Sequence, residues 1–110
     1  MIRVNDAAIA GGENSAMHGE YKMPGGKLVV ADFEPRDGLL AGVRISGDFF
    51  LEPDHALDLI NAALTGHPLS ATQEALAAAV HAALGDEVRM YGISAEAVAI
   101  AVRRALASTP

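Results

Sequence analysis

The sequence contains no cysteine. Disulfides, thiolate metal sites and persulfide or thiol chemistry are excluded at once, and the composition fits a reducing compartment. Tryptophan is absent too, and three Phe and two Tyr are the only aromatics, so the core has to be aliphatic. Basic residues are few: eight Lys and Arg stand against fourteen Asp and Glu, a formal charge of −6. A net-acidic surface repels nucleic-acid backbones, and no basic run with interleaved aromatics offsets this, which sets nucleic acid aside as a partner. Long apolar runs are also missing. The opening "MIRVNDAAIAGG" lacks an apolar core of signal-peptide length, and no later stretch approaches a membrane span. A soluble cytoplasmic protein is the default expectation.

What is present fits one domain. A chain of 110 residues can bury well over half of its unfolded surface and needs no covalent staple. Residues 1–16, Gly-rich around "AGGENSA", show no sustained period and are set apart from 17–110. They read as a natural extension or a remnant of cloning, with Met17 as an alternative start, although "MIRV" could add a short strand.

From Lys27 to Glu34, "KLVVADFE" reads as a strand. "PRDG" follows, with Asp37-Gly38 as a hairpin turn, and "LLAGVRISGDFF" is the return strand. Val29, Ala31 and Phe33 then face the core with Ala41, Val43 and Ile45, a register that requires a bulge at the turn, supplied by Gly38.

Three helices are expected next. "EPDHALDLINAALTG" has Pro53 at the first helical position and Gly66 just past the end, with Leu57, Ile60 and Leu64 on one face. "SATQEALAAAVHAALG" starts with Ser70 and Gln73 at capping-box spacing and stops at Gly85; Leu76, Val80 and Ala83 or Leu84 form its stripe. "SAEAVAIAVRRALAS" is capped by Ser94, and Arg103 and Arg104 lie near its C-terminus, where the helix dipole favours cations. Between the last two, "DEVRMYGI" is a third strand or an extended connector. Segregated elements of this order predict an α+β fold: an antiparallel β-hairpin or three-stranded sheet packed with about three α-helices.

Candidates for chemistry are sparse. "MPGGKL" is no Walker A loop, because Leu28 follows the lysine and a strand follows instead of a helix. Pro24-Gly25-Gly26 can simply turn the chain into the strand. A sharper reading keeps the turn and adds Lys22 and Lys27, two cations flanking it, which could contact an anionic ligand or an acidic patch on a partner. In "SGDFFLEPD" the adjacent Phe49 and Phe50 point to opposite sides of extended chain. One ring can enter the core; the other lies under a helix or anchors a protein interface. Asp48, Glu52, Asp54 and Asp58 form an acidic cluster whose simpler role is to complement a helix start; a metal would need several converging oxygens. His18, His55, His67 and His81 show no ligand spacing, and "ISG" and "GIS" lack the G-x-S-x-G frame of a nucleophile elbow. No independent active site is visible, and no catalytic residue or metal ligand is assigned.

Taken together, "EYKMPGGKLVVADFE", "DGLLAGVRISGDFFLEPD" and "YGISAEAVAIAVRRAL" resemble the accessory domain of lipoate–protein ligases, which occurs as the C-terminal domain of the ligase or as a separate small protein. The match runs from about Met17 to the last helix. Its most specific pieces are K-x-P-G-G-K, matched by Lys22, Pro24, Gly25, Gly26 and Lys27, and G-D-F-F, matched by Gly47, Asp48, Phe49 and Phe50. The family domain also looks like the sulfur-cluster scaffold fold, but a scaffold role is excluded here for want of cysteine. The resemblance implies that a separate catalytic subunit holds ATP with Mg, lipoate and a catalytic lysine. It further implies that the accessory piece is needed to activate lipoate to lipoyl-adenylate, binds no cofactor by itself, and offers the nine matched residues to the partner. A non-catalytic interaction module for a related biotin or acyl ligase is the alternative, and an independent enzyme the third reading. Apolar surface kept for a partner would also allow a homodimer when the chain is alone.

Overall fold

The computed structural model describes residues 2–4, 17–25, 27–53, 55–85, 88–91 and 93–107. In chain order the elements are β1 (Ile2–Val4), β2 (Met17–Lys22), β3 (Leu28–Arg36), β4 (Leu39–Gly47), β5 (Phe49–Glu52), α1 (Ala56–Leu64), α2 (Gln73–Leu84), β6 (Arg89–Tyr91) and α3 (Ala95–Ala107). The fold is α+β, with three helices and two antiparallel three-stranded sheets of order β2-β3-β4 and β1-β5-β6.

The β3–β4 hairpin forms where the turn chemistry requires it. Asp37 and Gly38 close a two-residue loop at φ +55° and +77°, the mirror-image geometry whose twist matches that of the flanking strands. The extra residue is not at this turn. It lies further along β4, where the register slips between Asp32 and Glu34 and Gly42 takes φ +59°. A bulge there puts Gly42 and Val43 opposite Phe33. Leu40, and not Ala41, consequently joins Phe33, Val43 and Ile45 in the core, while Ala41 is only half-buried.

Two further expectations are revised. "LLAGVRISGDFF" is two strands, broken at Asp48, and its second part belongs to the smaller sheet between "IRV" and "RMY". The third strand of the main sheet is β2, from "MHGEYK"; "DEVRMYGI" supplies β6 to the other sheet instead.

Helix α1 begins at Ala56, three residues beyond Pro53, because the Pro53 carbonyl first accepts the Ala56 amide in a turn at 3.0 Å. Ile60 and Leu64 are fully buried and Leu57 packs against them from the rim. Helix α2 is capped by Thr72, whose hydroxyl oxygen accepts the Ala75 amide at 3.1 Å; Ser70 lies in the preceding turn. Helix α3 has its expected cap, Ser94 Oγ accepting from the Ala97 amide at 3.1 Å.

Helix α3 occupies the centre, between α2 and the β2–β3 face. Ala95, Ala97, Val98, Ala99, Ala101, Val102 and Ala105 are all buried, so its small side chains let both neighbours approach closely. Its two arginines bond to neighbouring segments of the chain. Arg103 donates to the Ala71 carbonyl at 3.1 Å, and Arg104 donates to the Glu20 carbonyl at 3.3 Å while lying 4.9 Å over the Tyr21 ring.

Candidate functional site

The ladder between β2 and β3 pairs Lys22 with Leu28, so the P-G-G turn sits at one end of the main sheet. The Met23 amide closes that turn on the Lys27 carbonyl at 3.2 Å, and Gly25 takes φ +69°. Lys22, Pro24, Gly25 and Lys27 are exposed; Gly26 lies outside the described residues. Neither lysine is ion-paired among the described residues.

The G-D-F-F segment arrives at the same place. Gly47 pairs with Val29, and the next amide, of Asp48, donates to the Leu28 carbonyl at 3.2 Å. The approach is too close for a side chain, since a Cβ on Gly47 would lie 2.1 Å from the Leu28 oxygen and 2.8 Å from the Phe49 ring. Phe49 is wholly enclosed and Phe50 half-buried. Phe49 therefore fastens the junction to the core, and of the two rings Phe50 is the one with an accessible side. The two sequence motifs, some twenty residues apart in the chain, meet at this junction because β3 and β4 are antiparallel neighbours.

Leu28 opens the strand that the sequence predicts. It lies on the outer face of the sheet and is 37% exposed, one of two exposed large apolar residues among those described. Residues on the opposite face, Gly19, Tyr21, Val29, Ala31 and Ile45, turn toward α3 and the core.

A second group of polar side chains lies along the outer face, away from the turn. His18 Nδ1 is 2.6 Å from Asp32 Oδ1, and Nε2 is 2.8 Å from Glu20 Oε2. Hydrogen bonding to Glu20, and then to Asp32, raises the His18 pKa above its ordinary value of 6.5, against a smaller opposing effect of burial. Asp32 is buried, and its other oxygen, Oδ2, has no partner. The alternation in "HGEYK" carried the signal for this face: His18, Glu20 and Lys22 recur with strand period.

The acidic cluster is dispersed. Asp48 and Glu52 are half-buried, Asp58 is exposed on α1, and Asp54 lies outside the described residues. Among the described residues no group of three or more His, Asp or Glu side chains is placed to share a metal ion, and no helix is long and apolar enough to cross a membrane.

No family model matches the chain, and no curated protein matches its sequence. Among solved structures, it is similar to a chain of an archaeal lipoylation system, a bipartite lipoate protein ligase with its E2 lipoyl domain, from Thermoplasma acidophilum. The superposition has a TM-score of 0.60 at 19% identity and covers 80% of this chain and 92% of the other. At that identity the likeness is one of fold, and it extends over nearly the whole of the compared polypeptide.

Proposed function

We propose that this protein is an accessory subunit that assists a separate catalytic ligase in the ATP-dependent activation of lipoate. The observation that carries this reading is the likeness over most of both chains to a polypeptide of a bipartite ligase system. The meeting of the K-x-P-G-G-K and G-D-F-F segments at one end of the main sheet supports it further.

In activation, a lipoate carboxylate oxygen attacks the α-phosphorus of ATP, and pyrophosphate leaves as lipoyl-adenylate forms. The catalytic subunit would hold ATP with Mg and lipoate. The division of labour is physically sound: closing a second body over such a site excludes water and fixes the reactants in line. This chain would supply shape and two cations, through Lys22 and Lys27, without a nucleophile of its own.

The test is pyrophosphate release from ATP and lipoate by a catalytic ligase subunit that lacks this domain. Addition of the chain is expected to raise the rate severalfold or more, and the chain alone to give none. A catalytic subunit equally fast without it would refute the proposal. Release by the isolated chain would make it an enzyme in its own right. Stimulation with biotin or another acyl acid, but not lipoate, would move the assignment to a related ligase.

A further inference from the structure

We infer that the turn end of the β2–β3–β4 sheet docks onto a protein surface with an apolar centre and a carboxylate rim, Leu28 serving as the anchor and Lys22 and Lys27 as its flanking cations. The inference deepens the proposed function, on which it rests for the partner's identity, by naming the face used and the chemistry it meets.

Charge is the first argument. The chain carries a formal charge of −6 and has only two lysines, and both are on this one turn. Both are exposed and neither is ion-paired among the described residues. Arg103 and Arg104 are by contrast committed to carbonyls of the chain itself, and the exposed Arg36 and Arg44 lie apart from each other, at the far end of the hairpin and along β4. Two lysines on one turn of an acidic molecule make that end favourable to an acidic partner surface and bias the orientation of encounter.

The second argument is the leucine. A single exposed leucine is ordinary on a protein surface. This one lies between two lysines, its ladder partner Lys22 and its chain neighbour Lys27, and half-buried Val30 extends the apolar ground on the same face. A phosphate group gains nothing from an exposed leucine, whereas an apolar protein surface does, so the combination favours a protein. Glu20 lies on the same face, but its carboxylate is engaged by His18 at 2.8 Å.

The backbone is prepared for this role. The Leu28 carbonyl is held by the Asp48 amide and the Lys27 carbonyl by the Met23 amide, each at 3.2 Å, so the anchor stands on a fixed support. Strand addition is a less suitable route, because several outward backbone groups of the main sheet are taken. Arg104 holds the Glu20 carbonyl, Asn61 accepts the Ile45 amide at 3.0 Å, and Gly66 and His67 bond both polar groups of Leu40.

The experiment measures affinity for the catalytic subunit at low and high salt, alongside its ATP KM. Lys22→Glu with Lys27→Glu should weaken binding at least about tenfold and flatten its salt dependence. Leu28→Ser should weaken it by roughly the same factor with the salt dependence intact. Leu39→Ser is the control: it is 41% exposed but lies at the far end of the sheet, and should bind like the parent. In the parent complex, both lysines should resist acetylation that modifies them in the free chain. Parental affinity in all variants, or full lysine reactivity in the saturated complex, would overturn the inference while the proposed function stood. So would a raised ATP KM at unchanged subunit affinity, which would assign the lysines to phosphate. A parent chain that neither binds nor stimulates the subunit would remove both proposals.

Discussion

Gly19 on β2 lies directly against the last turns of α3: a Cβ at this position would stand 2.2 Å from the amide nitrogen of Ala105 and 2.5 Å from the carbonyl oxygen of Ala101. Those are backbone atoms of a helix whose face toward the sheet is buried, so nothing can swing away to make room. Gly19→Ala must therefore push the helix off the strand. The expected cost is about 1–3 kcal/mol, the range for overpacking a well-filled core. For a domain of this size each kcal/mol lowers Tm by roughly 4–8 °C, so the variant should melt measurably lower. An unchanged melting temperature would mean that β2 and α3 are not in this contact.

The start of α2 separates two hydroxyls two residues apart. Thr72 Oγ1 accepts the Ala75 amide, whereas Ser70 belongs to the turn before it. Thr72→Ala should thus destabilise by about 0.5–2 kcal/mol, the usual range for a lost cap. Ser70→Ala should change stability by less than about 0.5 kcal/mol. Urea titrations of both variants check the pair, and the reverse order would return the cap to Ser70.

These two sites also mark how far the sequence could be read. Turn residues and helix periods are local signals, so the Asp37-Gly38 hairpin, the stop at Gly85 and the Ser94 cap were legible. Gly19 was not, because its reason lies on a helix more than eighty residues later; in "MHGEYK" it merely interrupts a strand pattern. The break in "LLAGVRISGDFF" had the same origin, a close approach of Gly47 to the Leu28 carbonyl that no local rule anticipates. At the candidate site the two motifs were visible separately, but their union required the β3–β4 ladder. Strand alternation already turned Leu28 away from the core-facing Val29, Ala31 and Phe33, but whether that outer face is covered by another element is not a local signal. Arg103 and Arg104 were correctly placed near a helix end, yet the dipole argument could not give the distant carbonyls they reach.

Gly47 tests whether the two motifs act as one unit. Its φ of +147° is a region in which side chains are strained, and the space for a Cβ is already filled by the Leu28 oxygen and the Phe49 ring. Gly47→Ala should open the Asp48–Leu28 hydrogen bond and destabilise the domain by about 1–3 kcal/mol. Amide hydrogen exchange gives the local readout. The Asp48 amide should exchange faster than in the parent, by more than the change in global stability accounts for. Protection of Asp48 equal to the parent's would show that the junction tolerates a side chain and that the motifs are not coupled here.

His18 makes the stability of the main sheet dependent on pH. Both ring nitrogens face carboxylate oxygens, which only accept, so keeping both bonds requires a doubly protonated ring. The folded-state pKa is accordingly raised, by Glu20 first and Asp32 second, above an unfolded value of 6.5. The folded protein then binds a proton more tightly than the unfolded chain. By linkage, the stabilisation is complete below pH 6.5, declines above it and is lost as pH rises through the raised folded value. Solvent reaches about half of the ring, so the effect is small beside that of a buried pair. Denaturant midpoints measured from about pH 6 to about pH 9 should fall in the parent and fall less in His18→Gln, with ring NMR shifts placing the titration above the ordinary histidine value. If the parent and His18→Gln have parallel pH profiles, the Glu20–His18–Asp32 bridge does not hold β2 to β3 in solution.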